Sequence, residues 1–152
     1  YTLSEKTISK EVQKRVGQTF KKVEKHLEVG EFKYAIQEIV ELASFGNQYI
    51  DKHQVWKIVK DDERKAKSIT VDALYIINAL RVLLYPFVPE SSEKLHKLLG
   101  LKKIRPAEGK NQWGASRNER IKLASTIVPV FEKIDERNIA WEVEKLEESK
   151  NT

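Results

Sequence analysis

Apolar residues at Ile8, Val12, Val16, Phe20, Val23 and Leu27 recur every three or four positions between Ser4 and about Val29. That spacing puts them on one face of a helix. Ser4 is a plausible N-cap and Gly30 a plausible stop, because serine can accept a free first-turn N–H and glycine tolerates a left-handed exit. A second helix is predicted from about Phe32 to Lys52, with Phe32, Ala35, Ile36, Ile39, Val40, Leu42 and Ala43 as its stripe. So short a link around Gly30 predicts antiparallel packing of the two.

The third predicted helix runs from about Asp62 to Tyr85. Between Ala73 and Leu84 it is apolar on nearly every side except at Asn78 and Arg81, which places it at the centre of a bundle. Pro86 ends it, since proline lacks the N–H a helix needs. Pro89 opens a short fourth helix that Gly100 stops. Residues 101 to about 130 hold Pro106, Gly109, Gly114 and Pro129 with no sustained period, and are expected to be an irregular connection. A last helix is expected from near Asp135, with Ile139, Val143 and Leu146 on one face and Trp141 off it. No convincing strand is found. The fold class is therefore all-α, an antiparallel helix bundle. Residues 1–100 are expected to form the bundle, and residues 101–152 an irregular wrap and a final helix packed on it.

Composition narrows the function. The 152 residues carry 40% hydrophobic and 34% charged residues, a globular balance rather than a disordered one. The net charge of +5 favours polyanionic partners, and Lys outnumbers Arg 21 to 7. Cysteine is absent, which excludes disulfides and thiolate metal sites. No apolar run reaches a membrane-spanning length. A chain that starts at Tyr1 and has no Met is expected to be a piece of a longer one.

Candidate chemistry is of the binding kind. No catalytic residue is assigned, no phosphate loop or nucleophile elbow is present, and His26, His53 and His96 lack metal-ligand spacing. Asp61, Asp62 and Glu63 read as a solvated helix start. Trp56 has two readings. It could plug the gap between the second and third helices, which the residues alone favour. Or it could offer its ring to an unpaired base while cations hold phosphates. Lys52, Lys57, Lys60, Arg64, Lys65 and Lys67 surround it, and Lys102, Lys103, Arg105 and Lys110 make a second group. Asn47, Tyr49 and Asp51 read first as residues that close a helix end by hydrogen bonds to backbone. Trp113 is expected to cover the bundle, and Trp141 to face some other part of a larger protein.

Four segments carry a resemblance: Asn47-Gln48-Tyr49-Ile50-Asp51 with Trp56, Arg81 to Glu90, Leu98-Leu99-Gly100-Leu101, and Pro129 to Ile134. In this order they resemble the anticodon-binding helical domain of class I methionyl-tRNA synthetases, from about Gly30 to Ile134. The resemblance implies an all-α domain that recognises the CAU anticodon of methionine-accepting tRNA. It implies Trp56 as the ring that stacks on the first anticodon base, with Asn47, His53, Lys57 and Lys60 as further contacts. It implies no cofactor in this chain, with ATP and zinc belonging to a catalytic domain of the parent chain, in the cytoplasm. Two departures matter. Val55 stands where the family has Pro, and the family's first helix, with its base-reading Asn and Arg, has no counterpart. Leucyl, isoleucyl and valyl synthetases share the helical domain. A stand-alone tRNA-binding or scaffold module without catalysis is the alternative from another class.

Overall fold

A computed structural model describes residues 1–101, 114, 119–131 and 136–148. In chain order the elements are β1 (Thr2–Leu3), α1 (Lys10–Glu28), α2 (Phe32–His53), α3 (Val55–Ile58), α4 (Glu63–Leu84), α5 (Pro89–Leu98), β2 (Glu119–Arg120) and α6 (Glu136–Glu148). The helical bundle is as expected. α1 packs on α2, α2 on α4, and α4 on α5. Lys22 meets Glu38 at 2.9 Å and Arg15 meets Glu41 at 3.7 Å, pairs whose order reverses along the two helices. α1 and α2 are therefore antiparallel. The core is built from Val12, Val16 and Val23 of α1, Ile39 and Leu42 of α2, and Leu74, Ile76, Ala79 and Leu83 of α4.

Three expectations are corrected. The first helix starts at Lys10 rather than just after Ser4. Ser9 is its N-cap, and Ser9 Oγ accepts the Val12 N–H. Ser4 instead closes a separate turn through Thr7, which folds Ile8 into the core. A strand pair does exist. Thr2 pairs antiparallel with Arg120 and Leu3 with Glu119. It is two residues long on each side, too short to show alternation. Thirdly, only part of the predicted α2 stripe faces inward. Ala35, Ile39 and Leu42 are buried, whereas Phe32, Ile36 and Val40 form an exposed row.

The centre of α4 is more buried than its polar residues suggest. Asn78 is fully enclosed and Asn78 Oδ1 accepts the Arg81 Nε–H at 3.0 Å. Ser92 of α5 donates its hydroxyl to the Arg81 carbonyl. His96 of α5 is buried, and neither ring nitrogen makes a hydrogen bond of good geometry with a described residue. Burial, and then the neighbouring Arg81 charge, push its pKa below the usual imidazole value. Gly100 ends this region with φ +64°, and a Cβ there would collide with the Lys122 carbonyl oxygen. Only glycine allows that approach, and the Lys122 N–H donates to the Leu99 carbonyl beside it.

α6 makes no contact with any other element among the described residues, and Ile139, Val143 and Leu146 are exposed. The expected packing of this helix on the bundle is not seen there. Trp141 faces solvent too, with Lys145 Nζ 3.7 Å from its ring centre. Trp113, Lys102, Lys103, Arg105 and Lys110, for which roles are expected above, lie outside the described residues.

Candidate functional site

α2 ends because Gln54 takes a left-handed conformation, φ 45°, while its N–H still reaches the Ile50 carbonyl at 2.9 Å. A non-glycine residue in that region is held there by its surroundings. The chain then turns at once into α3, a single helical turn. Val55 and Ile58 of α3 pack against the core. Trp56 projects away, and 54% of it is exposed. The plug between helices is thus made by Val55 and Ile58, and the indole is left on the surface.

The neighbours of Trp56 divide into fixed and free groups. Lys57 lies on α3 and Lys60 in the turn after it, and both are exposed. His53 is the last residue of α2. It is half-buried, and its ring lies 4.5 Å from that of Tyr49. Asn47 is exposed on α2, six positions earlier, about 9 Å along the helix axis from His53. The structure brings Trp56, Lys57, Lys60 and His53 to one junction, with Asn47 farther back. None of Lys52, Lys57, Lys60, Arg64 and Lys67 forms an ion pair with a described residue. Asp62 is the N-cap of α4 and accepts the Lys65 N–H at 2.9 Å. This part of the acidic run therefore has the structural role expected of it.

Beneath the junction lies a buried polar pin. The Tyr49 hydroxyl donates to Asp72 Oδ2 at 2.6 Å, and the Ser9 N–H donates to Asp72 Oδ1 at 2.8 Å. Asp72 is 1% exposed. Burial, then the bond to Asp72, raise the Tyr49 pKa far above the usual phenol value, so it stays a donor at any ordinary pH. The pin ties the cap of α1, the last turns of α2 and the middle of α4 together. Tyr49 thus bonds a side chain rather than closing the helix on backbone. Asp72 does not stand out in the helical pattern of α4. The available signal was a single carboxylate in the run Ile69-Thr70-Val71-Asp72-Ala73-Leu74, where an isolated charge needs partners.

An exposed aromatic with exposed cations close to it in the chain, none ion-paired with a described residue, can stack on a base and hold phosphates. No group of three or more His, Asp or Glu side chains among the described residues is placed to hold a metal ion, and none of the helices there is long and apolar enough to cross a membrane.

Residues 1–148 match the family described as the anticodon binding domain of methionyl tRNA ligase. The chain is also similar to curated methionine–tRNA ligases. It is 32% identical over 139 residues to that of Pyrobaculum aerophilum, covering 90% of this chain and 23% of the relative. With the Bacillus mycoides protein it shares 31% over 145 residues, 95% of this chain and 25% of the relative. With that of Pyrococcus horikoshii it shares 34% over 131 residues, 82% and 17% respectively. The chain thus spans a quarter or less of the length of these relatives.

Proposed function

The chain belongs to the anticodon-binding domains of methionyl-tRNA ligases, and from that premise we propose that it holds the CAU anticodon loop of methionine-accepting tRNA. In this reading the parent protein works in the cytoplasm. A catalytic domain of that parent joins methionine to the tRNA with ATP, while this chain keeps the tRNA in place. The observation that carries the reading is the exposed ring of Trp56 at the α2–α3 junction.

Each group has a task there. Trp56 offers a flat apolar face to the first anticodon base. Lys57 and Lys60 neutralise phosphates of the loop. His53, braced by Tyr49, forms the near wall, and Asn47 offers an amide farther along α2. Val55 and Ile58 keep the ring outward by anchoring α3 to the core.

Stacking on one base is worth roughly 1–3 kcal/mol. Trp56→Ala should therefore weaken binding of a methionine-tRNA anticodon stem-loop about 5- to 150-fold, at 1.4 kcal/mol per factor of ten. Trp56→Phe should restore part of the loss, because a smaller ring remains. Titration of the folded variants with a labelled stem-loop tests this. Unchanged affinity of Trp56→Ala would remove the stacking role.

A further inference from the structure

Beside the Trp56 junction lies a groove of about 890 Å³, between the N-terminal segment that carries β1 and the α3–α4 corner. Val55 and Val59 form one wall. Lys6, Arg64 and Lys67 stand around it with a single carboxylate, Glu63, and the N-terminal segment and α4 add hydroxyl groups. All three cations are exposed, and none is ion-paired with a described residue. The volume lies within the range of ligand-holding clefts, about 300–1,000 Å³.

We propose that this groove is a second RNA contact, which holds the sugar-phosphate backbone of the loop strand next to the base stacked on Trp56. The proposal rests on the anticodon reading above and extends it from one ring to a path along the strand. Three observations support it. The groove is continuous with the junction, because α3 presents Trp56 and Lys57 on its outer side and Val55 toward the groove. The lining carries three cations against one anion, which suits a polyanion. Apart from Tyr1 and Glu63, the lining consists of cations, hydroxyl-bearing and aliphatic side chains, which suits phosphate and ribose more than a second stacked base. The groove should therefore add affinity without reading sequence.

The test uses the 152-residue chain and two stem-loops, one with the CAU anticodon and one with all three anticodon bases changed. The groove variant combines Lys6→Gln, Arg64→Gln and Lys67→Gln. A control removes equal charge elsewhere, at Lys25, Lys94 and Lys97. If the three cations each hold a phosphate, the groove variant should bind both RNAs more weakly by the same factor, roughly 10- to 50-fold at 0.15 M salt. The slope of log K against log salt should become shallower by about 2. Ser68→Glu, which adds a carboxylate to the lining, should weaken both RNAs as well, and the control should change binding far less. All substituted side chains are exposed, so melting temperatures should stay close to that of the unaltered chain.

Four results would overturn the proposal. If Trp56→Ala weakens binding while the groove variant leaves affinity and slope unchanged, the groove is not a contact and the anticodon reading survives. If the control weakens binding as much as the groove variant, only the overall field matters. Loss confined to the CAU stem-loop would mean that the groove reads bases. If the unaltered chain binds neither RNA, the anticodon reading fails, and the groove contact with it.

Discussion

The middle of α4 and the α2–α3 junction solve opposite problems within a few turns of each other. At α4, polar groups are taken inside and given partners: Asn78 with Arg81, and Asp72 with Tyr49 and Ser9. At the junction, an apolar ring and several cations are left outside, the cations with no ion-pair partner among the described residues. The first arrangement contributes stability, because a buried polar group is tolerated only when its hydrogen bonds are made. The second contributes little to folding and is ready for a ligand. The difference teaches that the domain separates its stability from its binding surface, with Tyr49 touching both.

The largest test of that separation is Leu83→Ala. Leu83 is fully enclosed in α4, and removing its side chain should cost about 2–5 kcal/mol of stability in urea unfolding. The folded fraction should bind RNA as tightly as before. Reduced affinity of the folded fraction would break the comparison.

Asp72→Ala should cost about 1–3 kcal/mol, because it strands the Tyr49 hydroxyl and the Ser9 N–H in the interior. Here the boundary is sharpened. Tyr49→Phe removes one bond and keeps the ring against His53, so it should lose less stability than Asp72→Ala. A double-mutant cycle that finds no coupling between the two positions would show that the pin is not a unit.

His96 gives a smaller effect, which depends on pH. Its folded-state pKa lies below the ordinary value near 6.5, so between the two values the unfolded chain binds a proton that the folded chain refuses. Stability is therefore fully present above about pH 6.5 and falls as the pH drops below it. Arg81 faces His96 and adds to the penalty, and Glu93 opposes it. Melting temperature followed from pH 7.5 to 5.5 should decline, and His96→Leu should flatten that decline. An equal decline in the variant would assign it to other groups.

The smallest expected change is at the junction itself. Trp56→Ala should alter stability by no more than about 0.5 kcal/mol, as for most surface substitutions. A loss of about 3 kcal/mol would place the ring in the core after all and erase the contrast with α4.

The sequence made the helices legible and much of the site obscure, for physical reasons. The long helices have strong 3.6-residue patterns and proline or glycine at their ends, so α2, α4 and α5 fall within a residue or two of expectation. The start of α1 is not legible, because Ser4 and Ser9 are equal as caps in isolation. Only the contact of the Ser9 N–H with Asp72, far along the chain, marks which serine begins the helix. Trp56 was visible as a residue but not as an exposed ring, since its placement depends on Gln54 adopting φ 45° and on Val55 and Ile58 filling the core instead. Periodicity carries no information about a left-handed non-glycine residue. Nor could it tell which half of the α2 stripe would be covered, because Phe32 and Ala35 look alike to a pattern of apolar positions.

The two-residue pairing of β1 with β2 has a consequence in time. It joins the start of the chain to Glu119–Arg120, far along the sequence, whereas α1 and α2 are neighbours in sequence and need only a short loop to close. Pairings of high sequence separation form late, because the entropy of closing the loop is lost before any contact repays it. The bundle should therefore assemble first and the N-terminal segment settle onto it afterwards. With so few ladder bonds, it should also be among the first parts to open in the native state. Amide hydrogen exchange should show the protons of Leu3 and Ile121 leaving well before those of α4, and the groove walled by this segment would open and close with them.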